Sequence, residues 1–556
     1  TYAVKFTTDN WADEVQIDVK ADEGFVLDPS QQFIRTEPVR EHVLGGIAGP
    51  LIIEGGEGPD RSLKPAVMLP AEKTALPVDV VDVTDETQQA DRLNVFNDSS
   101  TADDIGWMEA TTLANEIVTL DNPINITGLG MNPDADGRSK SLTVEISDAQ
   151  DGADPDKLIT CLGGITFDDI EITEIMLGQG NDTFTIDATS AGTLDAGDNV
   201  VTVVHGGGNT LVDDGNGGKI AGGDHIIVTG GGGVLSPLVI FGDTSQDGAR
   251  YDSQPDDGIF TGNALFYGLA GNDIIDARAI SNSVTIYGGE GNDEIWGSQA
   301  NDHLAGGSGN DEIHAEQGDD HVYGDSGFNL DYDVTKDAND EAIVTRLLTV
   351  PTVNVSPILT SDDLVAGEDT IYGDDGNDII FGDHGVISQA EGTLRLITTG
   401  FVERIETAES ANGLVDTIYG EQGDDVILGG SDGDTINAGE QSNIVIGDLG
   451  FIDYVLRDGD RSDIDFIEST STTVDGGADT ITTGSGDDII VGGRFGDTVT
   501  AGDGRNLVIG DSGRITAADS DLSRFGLLPI TLGLVETIEF DDGGIDTITT
   551  GTDDDI

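Results

Sequence analysis

Four aspartates, Asp293, Asp302, Asp311 and Asp320, stand nine residues apart in the segments GGEGNDEIW, GSQANDHLA, GGSGNDEIH and AEQGDDHVY. In a chain with 107 acidic residues a lone carboxylate says little. Acids that keep register with glycine say more, because they return to one fixed place in every turn. That arrangement suits a hard, oxygen-liganded cation, and Ca²⁺ tolerates irregular cages of carboxylates and carbonyls better than Mg²⁺ does. The turn glycines Gly288, Gly291, Gly297, Gly306, Gly309 and Gly318 would supply positive φ and inward-pointing carbonyls.

The elements that must position these acids follow from the same period. Two residues beyond each aspartate lies an aliphatic: Ile295, Leu304, Ile313 or Val322. Nine residues suit a tight glycine turn and a three-residue strand with one side chain pointing inward. Two such units complete one coil, so Asp293 should stack on Asp311, and Asp302 on Asp320. Each pair would clasp an ion together with the turn carbonyls.

The register recurs elsewhere. Upstream it is met at Asp182 and Asp273; downstream at Asp369 and Asp378, then Asp416, Asp425 and Asp434, then Asp479, Asp488 and Asp497, then Asp546 and Asp555. Gly373, Gly376, Gly420, Gly423 and Gly486 accompany them. In AGEQSNIVI and AGDGRNLVI the ligand position is Asn443 or Asn506, which keeps an oxygen and loses the charge, so weak or empty sites are expected there. Two looser loops, NPDADG with Asp134 and Asp136 and DTSQDG with Asp243 and Asp247, resemble the first half of an EF-hand loop. Neither has Glu at the twelfth position, where Thr143 and Gln254 fall, and an ordinary turn is the stronger reading of both.

A second period is laid over the first. GDSG (324–327), GDHG (382–385), GDLG (447–450) and GDSG (510–513) each end a block, and the register resumes after an insertion. The insertions, 328–366, 386–412, 451–474 and 514–540, carry Arg346, Arg395, Arg404, Arg457, Arg461, Arg514 and Arg524. They read as hairpins or wider coils that cover a sheet edge, with lateral contact strips between molecules as the alternative. Histidine gives one further idea. His303 and His321 should be in-register neighbours, forming an exposed polar ladder rather than a transition-metal site, and Trp296 and His314 should stack likewise on the opposite sheet.

Composition sets the limits. The formal charge of −83 disfavours nucleic acid and anionic membrane as partners. With 5% aromatics and 79 glycines the chain is lean for a conventional core. Carboxylates stacked ~4.8 Å apart repel by about 1 kcal/mol per pair even in water, so a cation must intervene. A single cysteine, Cys161, excludes an internal disulfide framework. No apolar run reaches the ~20 residues of a membrane helix. There is no H-E-x-x-H or G-x-S-x-G motif, and no enzyme activity is expected. The sequence opens without a signal-like stretch and closes inside a repeat, as expected of a segment of something longer.

The repeats resemble the hemolysin-type, or RTX, nonapeptide G-G-x-G-x-D-x-U-x, most specifically over 268–327 and 367–556. The resemblance implies an all-β, right-handed parallel β-helix/β-roll solenoid, multiple Ca²⁺ in the turns and export from a Gram-negative cell. The expected organisation is a β-rich segment and Pro-containing connector over 1–91, a wide-coil parallel β-helix over 92–267, a strict β-roll over 268–327, and units of about 60 residues with insertions over 328–556. The expected function is a calcium-dependent structural rod in a large extracellular fibre, adhesin or surface layer, with self-association and a cell-surface or carbohydrate target as partners. The alternative is the secretion and folding module of an exported enzyme or lytic toxin.

Overall fold

The computed structural model describes residues 42–55, 91–112, 120–146, 157–191, 200–213, 215, 218–233, 235–243, 270–336, 342–348, 365–389, 401–470, 475–518, 523–541 and 543–556. The N-terminal unit, Thr1–Glu41, lies outside them, as does most of the connector expected before residue 91. Among the described residues of the unit His42–Ile556, every regular element but one short 3-10 turn is a strand.

From Ile172 onward the chain alternates between two parallel sheets. Glu294–Trp296 belongs to a 15-stranded sheet, His303–Ser308 to a 12-stranded one, Glu312–His314 to the first again and His321–Tyr323 to the second. Each nonapeptide thus supplies one strand, and units two repeats apart pair in register: Ile295 opposite Ile313, Leu304 opposite Val322. The alternation survives every insertion, since Ile313 pairs with Ile371, Ile371 with Ile418 and Ile436 with Ile481. Their side chains are fully buried and interleave with Leu304, Val322, Ile380 and Ile427 in one continuous core between the two sheets. One aliphatic per strand is enough because a coil this narrow has room for a single inward side chain.

The region expected to be a wide-coil parallel helix is only partly so. Arg92–Phe96, Ile172–Gly178, Val201–Gly207 and Leu238–Phe241 stack in parallel. The first part of the 15-stranded sheet is mixed: Leu51–Glu54 pairs in parallel with Ile165–Asp168, which pairs antiparallel with Ile124–Gly128, itself antiparallel to Ile105–Ala110. No nonapeptide register constrains these residues, so their pairing is not tied to the coil repeat.

The insertions form a third sheet. Described strands are Gly327–Lys336 with Ala342–Leu348, Gly385–Gln389 with Val402–Thr407, Gly450–Asp453 with Phe466–Ser469, and Gly513–Ala517 with Leu532–Thr537. Each pair is an antiparallel two-stranded unit, and each also pairs with the next, giving eight strands in all. The 12-stranded sheet's outward residues Tyr323, Phe381, Leu428 and Ile446 pack against Ile387, Ile405, Ile452, Ile467 and Ile515 of this third sheet in a second core. Gly327 and Gly385 are needed at the crossover, because a Cβ on either would run into the ring of Tyr323 or Phe381. The expectation that the insertions cover a sheet edge is corrected: they cover a sheet face, and they bond to one another. Among the described residues no helix is long and apolar enough to cross a membrane.

Candidate metal centres

The turns that lead from the 12-stranded to the 15-stranded sheet carry one ladder of aspartates. The backbone N–H of each donates to Oδ1 of the next: Asp182 to Asp224, 2.6 Å; Asp224 to Asp273, 2.6 Å; Asp273 to Asp293, 2.7 Å; Asp293 to Asp311, 2.7 Å. The ladder continues through Asp369, Asp416, Asp434, Asp479 and Asp497 to Asp546. Turns in the opposite direction carry a second ladder: Asp302, Asp320, Asp378, Asp425, Asn443, Asp488, Asn506 and Asp555. The stacking of Asp293 with Asp311 and of Asp302 with Asp320 is as expected. Their carboxylates do not face each other, however; one oxygen of each is engaged by the neighbouring rung's amide.

The other oxygen decides what the turn can hold. Oδ2 of Asp182, Asp224, Asp273, Asp293, Asp311, Asp369, Asp416, Asp434, Asp479 and Asp497 is buried without a hydrogen-bond partner, as is that of Asp320, Asp378, Asp425 and Asp488. A buried ionised oxygen left this way is costly. Where the repeat is uninterrupted a glycine stands five residues before the acid, as at Gly288, Gly306, Gly429 and Gly492; after an insertion the block-ending Gly324, Gly382, Gly447 and Gly510 take that place beside Oδ2 of Asp369, Asp416, Asp479 and Asp546. A Cβ on Gly288 would meet both Asp293 Oδ2 and the carbonyl oxygen of Gly306, and Gly306 stands in the same relation to Asp311. Gly297, Gly373 and Gly420 do the same on the second ladder; at Gly420 the Cβ would lie 2.6 Å from Asp425 Oδ2 and 2.6 Å from the Ala438 carbonyl oxygen. A small space lined by one carboxylate oxygen and one carbonyl oxygen therefore exists in each such turn. The second glycine class, two before the acid (Gly291, Gly309, Gly318, Gly376, Gly423, Gly486), lies where a Cβ would strike the backbone of the turn stacked beside it.

Burial dominates the electrostatics. It pushes Asp182, Asp273, Asp311, Asp425 and Asp497 up to about 7 from an ordinary 3.8, and Asp378 and Asp416 to about 9. Asp224, Asp293, Asp320, Asp369, Asp434 and Asp479 are raised well above the carboxylate range by burial, with neighbouring acids adding to it. Such a stack is ionised at neutral pH only if a counter-charge enters it. Among the described residues no three acidic, histidine or cysteine side chains converge as a cage. Any cation would be held mainly by turn carbonyls, with one aspartate oxygen from a given turn. That donor set is all oxygen and fits Ca²⁺.

Several expected ligands are resolved individually. Asn443 and Asn506 keep the ladder bond through Oδ1 and turn Nδ2 onto carbonyls, of Glu440 (3.4 Å) and Gln441 (3.3 Å) in one case and of Gly502 (3.0 Å) in the other. The amide N–H groups thus engage carbonyls of their own turn and bring no charge to it. Asp302 is a departure from expectation: Ser298 donates to both its oxygens, through N–H to Oδ2 and through Oγ to Oδ1 (2.9 Å), and Val284 N–H adds a third bond (2.8 Å). Both oxygens of Asp302 are thus hydrogen-bonded, unlike Oδ2 of Asp320, Asp378, Asp425 and Asp488. Asp555 lies in the last described coil and accepts from Asn506 N–H, 3.1 Å.

The first EF-hand-like loop is a turn, and of the second only Asp243 is described. Asp134 Oδ1 accepts from the N–H of Asp136 (2.8 Å) and Arg138 (3.1 Å), an Asx-turn, while Asp136 is exposed. Asp243 accepts from Gly271 N–H (3.1 Å) and Glu290 N–H (2.8 Å); Asp247 lies outside the described residues.

Two features escaped the sequence reading. Asp224 completes the first ladder from GGDHII, whose Gly-Gly-Asp spacing was the available signal. The aspartates of the block-ending Gly-Asp pairs are clamps. Asp383 accepts from Leu414 N–H (3.0 Å) where the chain returns from its insertion, and from Ser431 N–H (2.6 Å) in the next turn. Asp325, Asp448 and Asp511 bind returning amides at Gly367 (2.9 Å), Gly477 (2.8 Å) and Gly544 (3.1 Å). Uninterrupted turns have glycine at this position, as at Gly289, Gly307 and Gly430; where the chain leaves, a carboxylate re-closes the turn.

The insertion arginines are engaged within the chain. Arg404 bonds Glu406 Oε2 (2.6 Å) and Asp453 Oδ2 (3.0 Å) and lies over Phe451; Arg461 pairs with Glu403; Arg514 grips Glu468 (2.7 Å); Arg457 bonds the Ala517 carbonyl and Arg524 that of Ser462 (3.1 Å). They brace successive insertions together. The side chains of Arg346 and Arg395 lie outside the described residues. The histidine expectation is corrected: His303 and His321 are in register but buried, His303 tilted between the Tyr287 and Tyr323 rings (5.4 and 5.1 Å), and burial lowers its pKa to about 3. Trp296 and His314 stack as expected, 6.0 Å apart.

A family model described as an RTX calcium-binding nonapeptide repeat (4 copies) matches residues 260–279, 283–304, 296–330, 365–385, 410–450, 473–499 and 482–514. No curated protein matches the chain significantly.

Proposed function

We propose that this chain, whose RTX nonapeptide repeats bind multiple Ca²⁺ ions, is a calcium-set structural segment of a large extracellular fibre, adhesin or surface layer. Proteins with such repeats are typically secreted, and the coarse description of a calcium-binding secreted repeat protein follows from the repeats themselves. The structural role rests on one observation: the insertions recur and hydrogen-bond to one another as a continuous eight-stranded sheet over the 12-stranded one. A module needed only to assist export has no use for a third sheet propagated in step with the coil. We read the segment as non-catalytic and as self-associating.

In each metal turn the Oδ1–amide bond fixes the carboxylate, glycine leaves the space open, and Oδ2 with the turn carbonyls would hold the ion. Bound calcium supplies the positive charge that lets the stacked carboxylates ionise together. Because the unfolded chain has no such turns, calcium binding and folding are linked. In calcium-poor cytosol the chain would remain loose, and in a calcium-rich exterior it would close.

The test is circular dichroism with small-angle scattering of the fragment during titration with EGTA and then calcium. The expected result is an elongated β-sheet particle in millimolar calcium that loses both properties in EGTA. A particle unchanged by EGTA would overturn the calcium linkage. A calcium-loaded fragment that stays monomeric at all concentrations would favour the rival reading, a folding module of an exported enzyme or toxin.

A further inference from the structure

The outward face of the 15-stranded sheet carries an aromatic column. Trp296, His314, Tyr372 and Tyr419 occupy the same strand position in successive coils and stack at 6.0, 4.3 and 5.0 Å, with ring planes within 12° of parallel. One end is capped: the Arg278 guanidinium lies 4.3 Å from the Trp296 ring centroid. At the other end the next residues in register are Asn437 and Thr482, both shorter and exposed. The column therefore stops at a ring with no aromatic partner on its far side. Stacking places ring faces along the column, so only this terminal ring can offer a face to a ligand.

A cleft of about 270 Å³ opens at that point, lined among others by Tyr419, Glu421, Gln422, Asn437, Glu440 and Thr482. Gly439 has φ +82, and a Cβ there would collide with the Glu421 carbonyl oxygen, so the floor is kept free of side chains. Glu421 itself holds a left-handed backbone, φ 69, which a non-glycine residue adopts at a cost of roughly 1 kcal/mol. Glu440 is fixed in place by Ser485, whose N–H donates to its Oε2 at 3.1 Å and whose hydroxyl donates to the same atom.

From this geometry we propose that the cleft binds a neutral pyranose unit of an extracellular polysaccharide. The Tyr419 face would take the apolar C–H face of the sugar. Glu421 and Glu440 would accept from its hydroxyl groups, and Asn437, Gln422 and Thr482 can both donate and accept. The two carboxylates and the chain's net charge of −83 repel uronic and sulfated sugars. The cleft lies near the lower end of small-molecule sites, on the order of 300 Å³, and suits one sugar ring with the polymer running out over the open side. The inference goes beyond the structural reading above and does not depend on it.

The experiment is native affinity electrophoresis in calcium through gels containing galactomannan, dextran or alginate. Retardation is expected with at least one of the neutral polymers and not with alginate. Tyr419→Ala should weaken it about tenfold, the loss of one stacking face, while Tyr419→Phe keeps it. Asn437→Ala, an exposed change, should weaken it too and serves if Tyr419→Ala disturbs the calcium-induced circular dichroism. No retardation by either neutral polymer overturns the proposal. So does retardation that both alanine variants leave intact, or equal retardation by alginate.

Discussion

Replacing Asp311 by asparagine isolates the role of one rung. Burial holds the Asp311 carboxyl up to about 7, against 3.8 when free. Above neutrality its ionised form therefore costs the metal-free fold roughly 4 kcal/mol, at about 1.4 kcal/mol per pH unit of displacement. Asparagine would keep the bond from Asp293 N–H, now 2.7 Å, just as Asn443 accepts from Asp425 N–H at 2.9 Å. Its Nδ2 would reach turn carbonyls as those of Asn443 and Asn506 do. Asp311→Asn should thus stabilise the metal-free protein, by roughly 2–4 kcal/mol after imperfect amide geometry is allowed for. In calcium that gain should largely disappear, because one bound ion is lost; at a concentration about 100-fold above Kd that ion contributes about 2.7 kcal/mol, close to the gain itself. Thermal unfolding in EGTA, with an osmolyte to keep both proteins folded, should show the variant melting higher, and in millimolar calcium that advantage should shrink to near zero, while calorimetry shows a lower stoichiometry. A variant that melts lower in EGTA, or binds as many ions as the parent, would refute the reasoning.

Other consequences are separately measurable. In EGTA the fold should strengthen as pH falls: Asp182, Asp273, Asp311, Asp425 and Asp497 titrate near 7 when folded and near 3.8 when unfolded, so the folded chain holds more protons between these values. That stability is fully present below about 4 and is lost as pH rises through about 7; a melting temperature that climbs from pH ~5 to ~8 without calcium contradicts it. With calcium the trend inverts, since protons compete for the same oxygens. Asp383→Ala should strand the amides of Leu414 and Ser431, destabilise by roughly 2–4 kcal/mol and speed their hydrogen exchange; unchanged exchange at both sites would remove the clamp from the account. Gly385→Ala drives a Cβ into the Phe381 ring and should loosen the third sheet by roughly 1–3 kcal/mol while the calcium stoichiometry stays the same. A change in stoichiometry instead would mean that the third sheet and the metal turns are not separable.

The nonapeptide period alone determined the coil. Two repeats per turn, the stacking of Asp293 with Asp311, the inward Ile295 and Leu304, and the glycines at each turn all follow from spacing, because each depends on residues a fixed short distance apart. The loss of charge at Asn443 and Asn506 was legible for the same reason. What the spacing could not reveal depends on residues that approach only after folding. Asp302 has both oxygens hydrogen-bonded by a serine four residues earlier, which breaks no repeat rule and matters only through hydrogen-bond geometry. Asp224 lies in coils whose lengths vary, so its place emerges only when Asp182 and Asp273 are seen on either side of it. The insertions carry no common period; hydrogen bonds between Val402–Thr407 and Gly450–Asp453, more than forty residues apart, make them a sheet. Asp383 becomes a clamp because the chain returns beside it 31 residues later. Local repetition wrote the metal turns into the sequence, and pairing across long loops, which no short period encodes, decided everything built on top of them.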